Sequence, residues 1–243
     1  MNLIIDIGNS FSKINIFDEN TIIDSSSVKI LNCEYIANLK KEHINLKKVI
    51  VSSVKIFPVE LKLYMQQNFD KFIELNYKTP LPIENFYNTK ETLGYDRLAA
   101  AVGAFYLYPD SNTLIIDAGT AITFDFINEK NQYLGGKISP GLEMRFDALH
   151  QFTAKLPRVK NRNFEALFGK TTEESILSGV QKGIIYETDR TIDLFKDFYT
   201  NLKVIITGGD AIFFEKKLKN SFFVNLNLTA LGLNHILEYN GEI

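Results

Sequence analysis

The chain lacks the features that mark several common classes of protein. Only one of its 243 residues, Cys33, is a cysteine, which excludes an intrachain disulfide and a cysteine-rich metal site. The formal net charge of −2 provides no electrostatic footprint for nucleic acid or an anionic membrane. No apolar run approaches the roughly 20 residues that a membrane-spanning helix needs, and Asp6 interrupts the apolar N-terminus, which makes it a poor signal peptide. We therefore expect a cytoplasmic enzyme that binds neither nucleic acid nor membrane.

One short pattern is present twice. Residues 4–10 read IIDIGNS and residues 115–121 read IIDAGTA, so that an apolar run ends in Asp and Gly follows two positions later. We name residues 6–10 the first Asp-x-Gly turn and residues 117–121 the second Asp-x-Gly turn. An acidic residue that leaves a buried strand before a glycine turn can coordinate a cation and offer backbone N–H groups to phosphate. The duplication therefore favours a phosphate-handling ATPase or kinase over two ordinary hairpins.

The periodicity of apolar residues predicts an α/β protein in which a three-stranded meander also appears twice. The predicted strands of the two meanders are residues 3–7, 13–17 and 21–30, then 113–117, 121–127 and 133–138. A turn cluster at 109–112 suggests two lobes, residues 1–110 and 111–243. In the second lobe we expect a long helix over 172–199 with a break near Gly183, and a late strand over 222–226.

The first Asp-x-Gly turn contains residue types that suit a phosphate and its metal ion. Asp6 is placed to hold Mg²⁺ through water, because Mg²⁺ keeps several of its waters in proteins. Gly8 lets the backbone turn closely, Asn9 and Ser10 can donate hydrogen bonds to phosphate oxygens, and Lys13 on the next strand can neutralise charge. The spacing is not that of a Walker loop.

The second Asp-x-Gly turn has Asp117, Gly119 and Thr120 in the matching places, with Thr123 on the following strand. No lysine follows, which favours a secondary phosphate contact or a cation contact. Asp125 lies on the same face of that strand as Thr123. It is either a second acidic contact or a solvated strand residue.

Three further glycine-containing elements are candidate parts of a site. Gly208 and Gly209 follow a buried strand. They either let the backbone approach a flat ligand such as adenine or ribose, or they form a plain turn. Residues 135–141 precede a helix whose start could bind an anion, or form a simple loop. Asp96 begins an apolar helix, either as an ordinary cap or as the group that deprotonates an attacking hydroxyl. Arg97 beside it suits a carboxylate or phosphate.

Together these motifs resemble the acetate and sugar kinase, heat-shock ATPase and actin superfamily, and more specifically the type III pantothenate kinases. Six motifs carry the resemblance, in order and over nearly the whole chain: residues 6–10 with Lys13, 94–97, 117–123, 135–141, 172–176 with Gly179, and 207–211. The departures are small. Ser139 and Ser175 stand where alanine is expected.

The resemblance implies two ribonuclease H-like lobes with duplicated β-meanders and a nucleotide cleft between them. It also implies ATP-dependent phosphorylation of pantothenate to 4'-phosphopantothenate, the first step of coenzyme A biosynthesis. Mg²⁺ would accompany ATP, and a monovalent cation, K⁺ or NH₄⁺, would be required. The protein would be a homodimer with the pantothenate pocket at its interface.

The resemblance also implies a role for each matching residue. Asp96 is the expected catalytic base, Asp6 the contact to Mg²⁺ and phosphates, and Asp117 the neighbour of the monovalent cation. The expected ATP-binding set is Asp6, Gly8, Asn9, Ser10, Lys13, Gly119, Thr120, Gly208 and Gly209. The expected pantothenate-binding set is Tyr87, Gly94, Tyr95, Asp96 and Arg97, completed by Thr172 of the second copy.

Two alternatives remain at this stage. A regulatory or accessory protein on the same fold is one, although loss of Asp6 or Asp96 would have favoured it and both are present. A superfamily kinase for another hydroxyl substrate is the other, although larger chains with inserted substrate domains would be expected there.

Overall fold

The computed structural model describes residues 1–8 and 11–242. The chain divides into two compact units. Unit 1 comprises Met1–Pro109, Asn131–Tyr133 and Asn227–Ile243, and unit 2 comprises Asp110–Lys130 and Leu134–Leu226. The boundary between unit 1 and unit 2 at residues 109 and 110 falls in the turn cluster that the sequence shows at 109–112. The C-terminal helix groups with unit 1, whereas the sequence predicts that everything after residue 110 belongs to the second lobe.

Unit 1 contains a five-stranded sheet that begins with the expected meander. Its strands are β1 (Asn2–Ile7), β2 (Ser12–Asp18), β3 (Thr21–Val28), β4 (Lys48–Ser53) and β5 (Lys71–Glu74). Their order is β3-β2-β1-β4-β5. The first three strands pair antiparallel, and β4 and β5 join in parallel. A parallel strand needs a crossover connection, and the helices of this unit supply it.

Four helices pack in unit 1: α1 (Cys33–Glu42), α2 (Val59–Asn68), α3 (Tyr95–Leu107) and α6 (Leu228–Glu242). The side chain of Asn32 caps α1 by accepting from the Tyr35 N–H at 2.8 Å, and Pro58 precedes α2 as expected for a helix start. Gly103 of α3 and Gly232 of α6 lie at the contact between these two helices, where an added Cβ would overlap backbone atoms. The close approach explains why both positions are glycine.

Unit 2 repeats the strand order of unit 1. Its strands are β7 (Thr113–Ala118), β8 (Ala121–Ile127), β9 (Gln132–Pro140), β10 (Lys203–Thr207) and β11 (Phe223–Val224). They follow the order β9-β8-β7-β10-β11, which matches β3-β2-β1-β4-β5. The predicted duplicated α/β fold is therefore confirmed. A two-residue strand of unit 1, β6 (Glu84–Asn85), pairs in parallel with Gln132 and Tyr133, the first two residues of β9, which group with unit 1 as well.

Two helices of unit 2 follow the meander, α4 (Leu142–Gln151) and α5 (Thr172–Phe198). The predicted break near Gly183 is wrong, because α5 is continuous. Glycine costs a helix about 1 kcal/mol relative to alanine, and the buried face of α5, which includes Leu177 and Ile184, contributes more than that. The predicted strand over 222–226 is confirmed only in part, since β11 has two residues. Within the described residues no helix has both the length and the apolar character to cross a bilayer.

Candidate active site

The first Asp-x-Gly turn follows β1 in unit 1. The Gly8 N–H donates to the Phe11 carbonyl at 3.0 Å and closes the turn. An added Cβ at Gly8 would lie 3.2 Å from the same carbonyl oxygen, so a larger residue would press against the turn. Asn9 and Ser10, predicted to contact phosphate, lie outside the described residues.

Asp6 sits at the end of β1 between two neighbouring strands. Lys13 of β2 and Ser52 of β4 are its direct partners in the strand register. Burial and the negative charge of Asp96 raise the pKa of Asp6 to about 6, against the opposing effects of Lys13 and the Ser52 hydroxyl. The fold therefore brings Asp6 and Asp96 close enough to repel, although 90 residues separate them in the chain. Ser52 was missed by the sequence analysis, because only the register of β4 places it there.

Asp96 lies in the first turn of α3. Gly94 is the N-cap residue of this helix, so Asp96 is an acidic residue of the first turn rather than the N-cap itself. Its Oδ1 accepts from the Arg97 N–H at 2.9 Å. An added Cβ at Gly94 would lie 2.5 Å from that oxygen. Gly94 thus leaves room for the Asp96 carboxylate, which is half-buried at the start of the helix.

The residues predicted to bind pantothenate from unit 1 gather around Arg97. Its side chain is 7% exposed, and its guanidinium carbon lies 5.8 Å from the centre of the Tyr87 ring, a cation–π arrangement. Tyr87 in turn packs near Tyr133, with 6.3 Å between ring centres. Tyr95, two residues before Arg97 in the chain, is half-buried. Arg97 is thereby held in one orientation, which suits recognition of a carboxylate or phosphate.

The second Asp-x-Gly turn joins β7 to β8 in unit 2. The Gly119 N–H donates to the Ala121 carbonyl at 3.0 Å. Thr123 lies opposite Asp117 in the register, and its hydroxyl donates to Asp125 at 2.9 Å. Asp125 is buried, so the interpretation as a solvated strand residue is wrong. Its carboxylate orients the hydroxyl next to Asp117.

Gly208 packs directly against this second turn. Its φ is +91°, and an added Cβ would overlap the Ala118 carbonyl oxygen and Oδ1 of Asp117. Asp210 continues the contact, because its N–H donates to the Ala118 carbonyl at 2.9 Å. Gly209 faces open space. Gly208 therefore has a packing reason, because it allows the chain after β10 to approach the end of β7. The contact of the Gly208–Gly209 pair with a flat ligand stays a prediction.

A cavity of about 540 Å³ opens beside these elements within unit 2, in the size range of small-molecule sites. Its lining combines the second turn, the glycine pair and one face of α4: Gly119, Thr120, Gly209, Asp210, Glu143 and Met144, among others. Burial raises the pKa of Asp210. The carboxylates here suit hydroxyl or amino groups of a ligand better than they suit phosphate.

The two remaining predictions concern Thr172 and metal ions. Thr172 is exposed at the start of α5, where the Thr171 side chain accepts from the Glu174 N–H and caps the helix. In the described part of the chain no group of three or more His, Cys, Asp or Glu side chains could hold a metal ion. The magnesium contact at Asp6 and the monovalent cation at Asp117 stay predictions.

A five-stranded α/β unit that occurs twice, with an Asp-x-Gly turn after the first strand of each copy, places the chain in the actin-like ATPase fold class. Solved structures agree on the fold. A Campylobacter jejuni protein assigned to the Baf family of transcriptional activators matches with a TM-score of 0.62 and 24% identity, over 99% of this chain and 100% of that one. A glucokinase from an Antarctic psychrotroph matches with a TM-score of 0.58 and 12% identity, over 98% of each chain.

Sequence comparison defines the family. The profile of type III pantothenate kinases matches residues 2–194. The type III pantothenate kinase of Phocaeicola vulgatus is 41% identical over 100% of both chains, and that of Christiangramia forsetii is 43% identical over 99% of both. The chain belongs to the type III pantothenate kinase family. It is accordingly an ATP-dependent kinase of coenzyme A biosynthesis, as the sequence predicted.

Proposed function

We propose that this chain transfers the γ-phosphoryl group of ATP to the primary hydroxyl of pantothenate, with Asp96 as the base that accepts the hydroxyl proton. Family membership supports the reaction, and the relatives that match over the full length favour it over a regulatory protein or a kinase for another hydroxyl. The observation that carries the residue assignment is that the fold brings the Asp96 carboxylate near Asp6 of the first Asp-x-Gly turn, so that Asp96 adds to the effect of burial in raising the pKa of Asp6.

Two carboxylates that repel in the ligand-free protein are well suited to a cationic partner. Asp6 would face Mg²⁺ through water, with Lys13 opposite it to balance phosphate charge. Mg²⁺ would offset the repulsion between the two carboxylates, and Asp96 would accept the proton of the attacking hydroxyl. In-line transfer between the oriented hydroxyl and Mg²⁺-ATP needs little more from the protein than positioning and electrostatic stabilisation.

Unit 2 would contact the nucleotide through backbone groups. The second Asp-x-Gly turn offers Gly119 and Thr120 to phosphate, and the cavity lined by Gly209 would receive the nucleoside, whose hydroxyl and amino groups its carboxylates can accept from. Gly208 would place Gly209 at the cavity wall, because its left-handed conformation and missing Cβ let the chain after β10 approach the end of β7. Asp117 would lie near the monovalent cation, K⁺ or NH₄⁺.

Pantothenate has a carboxylate at the end opposite its primary hydroxyl, and Arg97 is the buried cation that would bind it. Tyr87 packs on the guanidinium and keeps its direction, while Gly94 and Tyr95 would line the same pocket. Thr172 of a second copy would complete the pocket, in a homodimer. The cytoplasmic location stays a prediction from the sequence.

The test of the proposal is ADP release from Mg²⁺-ATP and K⁺, with and without pantothenate. We expect pantothenate-dependent turnover, and Asp96→Asn should lower it by about 10²–10⁴-fold if general-base catalysis carries the step. Glu60→Gln is the matched control, because Glu60 is an exposed carboxylate in the first turn of α2. Near-normal turnover in Asp96→Asn would remove Asp96 from the role of base.

A further inference from the structure

The segment of residues 139–141, which ends β9 and leads into α4, packs against the second Asp-x-Gly turn. The Gly141 N–H donates to the Thr120 carbonyl at 3.1 Å. An added Cβ at Gly141 would overlap the carbonyl oxygens of Gly119 and Thr120. The backbone of this segment therefore contacts the turn with no intervening side chain, and any shift of the segment would shift Thr120.

Arg145 holds the same segment from its other side. Its Nε donates to the Pro140 carbonyl at 2.8 Å, and its Nη2 donates to the Ser139 hydroxyl at 3.0 Å. The planar guanidinium thus binds two consecutive residues just before Gly141. Arginine suits such a contact because its N–H groups form a rigid fork.

Glu187 connects this arrangement to α5. Its Oε2 accepts from Nη2 of Arg145 and, at 3.2 Å, from the Ser139 hydroxyl. The side chains of Arg145 and Glu187 are 20% and 26% exposed, less open to water than a typical surface ion pair. Burial alone would raise the pKa of Glu187, but hydrogen bonds from Arg145 and Ser139 lower it, so the carboxylate is charged at neutral pH.

The helix that carries Glu187 is firmly anchored. Thr188, the next residue, is fully buried and donates to the Ile184 carbonyl at 2.8 Å. One turn further, Thr191 accepts from Lys137 of β9 at 2.6 Å. Contacts thus run continuously from the buried face of α5 to the Thr120 carbonyl.

We propose that Arg145 and Glu187 are positioning residues for phosphate transfer, which fix the second Asp-x-Gly turn against the nucleotide. This inference rests on the proposed role of Gly119 and Thr120 in binding phosphate. Neither Arg145 nor Glu187 touches the reacting atoms. They act through Ser139, Pro140 and Gly141, and a misplacement of about 1 Å at a catalytic contact can cost about 10²-fold in rate.

The test compares steady-state kinetics of Glu187→Gln and Arg145→Lys with the unchanged protein. We expect the KM for ATP to rise about tenfold, while the KM for pantothenate stays within about twofold. Pantothenate would be bound by residues of unit 1 and by Thr172 of the second copy, and Thr172 lies at the far end of α5, about 22 Å along the helix from Glu187. The double variant should be no worse than the more severe single variant, since both remove one connection. Glu74→Gln is the matched control, because Glu74 pairs with Lys62 at 2.5 Å in a half-exposed ion pair of unit 1.

A charge probe separates this inference from the proposed function. Thr120→Asp places a negative charge on the exposed tip of the turn and should raise the KM for ATP strongly. If Thr120→Asp leaves that KM unchanged, the turn does not bind phosphate and the proposed function fails at this point. If Thr120→Asp raises it but Glu187→Gln and Arg145→Lys leave it unchanged, the positioning role is refuted. An equal rise of both KM values with a lowered melting temperature also refutes it, as the sign of a purely structural pair.

Discussion

Replacement of Asp6 by asparagine should stabilise the ligand-free protein while it abolishes efficient turnover. Asp6 is partly buried, and Asp96 adds a second negative charge. Asparagine has nearly the same shape but no charge, so the variant loses the repulsion and the desolvation penalty together. Mg²⁺-ATP would lose its carboxylate contact in the same step. The prediction is therefore a more stable but impaired enzyme.

The size of the effect follows from the pKa of Asp6, which rises from 3.8 to about 6. One pKa unit corresponds to about 1.4 kcal/mol, so ionised Asp6 costs about 2–3 kcal/mol of folding free energy at neutral pH. For a chain of this size, 1 kcal/mol shifts the melting temperature by about 2–4 °C. We expect Asp6→Asn to melt about 5–10 °C higher at pH 8 without Mg²⁺ or nucleotide.

The pH dependence gives the sign of the effect. Because the folded state holds the Asp6 proton more tightly than the unfolded state, this contribution favours folding below pH 3.8 and is lost as the pH rises through about 6. His235 works in the opposite direction. Burial lowers the pKa of His235 from 6.5 to about 4, so stability falls as the pH drops through that range. The two effects on the free energy of unfolding nearly cancel in the unchanged protein. In Asp6→Asn, the loss of stability that His235 causes as the pH falls should therefore become visible.

The assay is thermal unfolding of both proteins at intervals between pH 4 and 8, in EDTA. The difference between the two melting temperatures isolates Asp6, because His235 contributes equally to both. It should be largest above pH 7 and vanish near pH 4. A difference that stays constant over the whole range, or a variant that is less stable at pH 8, would show that Asp6 does not carry the raised pKa.

Three further predictions test other parts of the structure. In the Asp6→Asn background, His235→Gln should lessen the loss of stability between pH 6.5 and 4, as measured by the same unfolding series; an unchanged loss would assign it to another group. Gly232→Ala should lower the melting temperature by about 5–10 °C, since overpacking costs about 1–3 kcal/mol and its Cβ would overlap the Ala99 carbonyl. Gly179→Ala, with open space around its Cβ, is the control and should not destabilise. Asp117→Asn should abolish the activation of ADP release by K⁺, and retained activation would place the cation elsewhere.

The elements of the fold were largely predictable, because their signals are local. The alternation of apolar residues in the meanders has the period of a strand, and both meanders form with nearly the predicted bounds. Pro58 and Asn32 mark helix starts through their own backbone chemistry. The continuity of α5 at Gly183 was not predictable, since packing of its buried face outweighs the weak local preference of one glycine.

The candidate site was predictable only as a set of residue types. The two Asp-x-Gly turns and the Gly94–Arg97 segment were visible in the sequence because glycine and acid stand at fixed local spacings. The raised pKa of Asp6 and the role of Ser52 were not visible, since they depend on which strands and helix ends the fold brings together.

The sequence by itself therefore determined the strand and helix pattern, the two Asp-x-Gly turns and the family, since these depend on short-range periodicity, turn chemistry and motif order. Only the tertiary structure decided that the last helix joins unit 1, that Asp96 repels Asp6, and that Arg145 and Glu187 hold the segment against Thr120. The physical reason is that contacts between distant residues depend on register and packing. The sequence around either of the two contacting residues contains no local pattern that predicts such a contact.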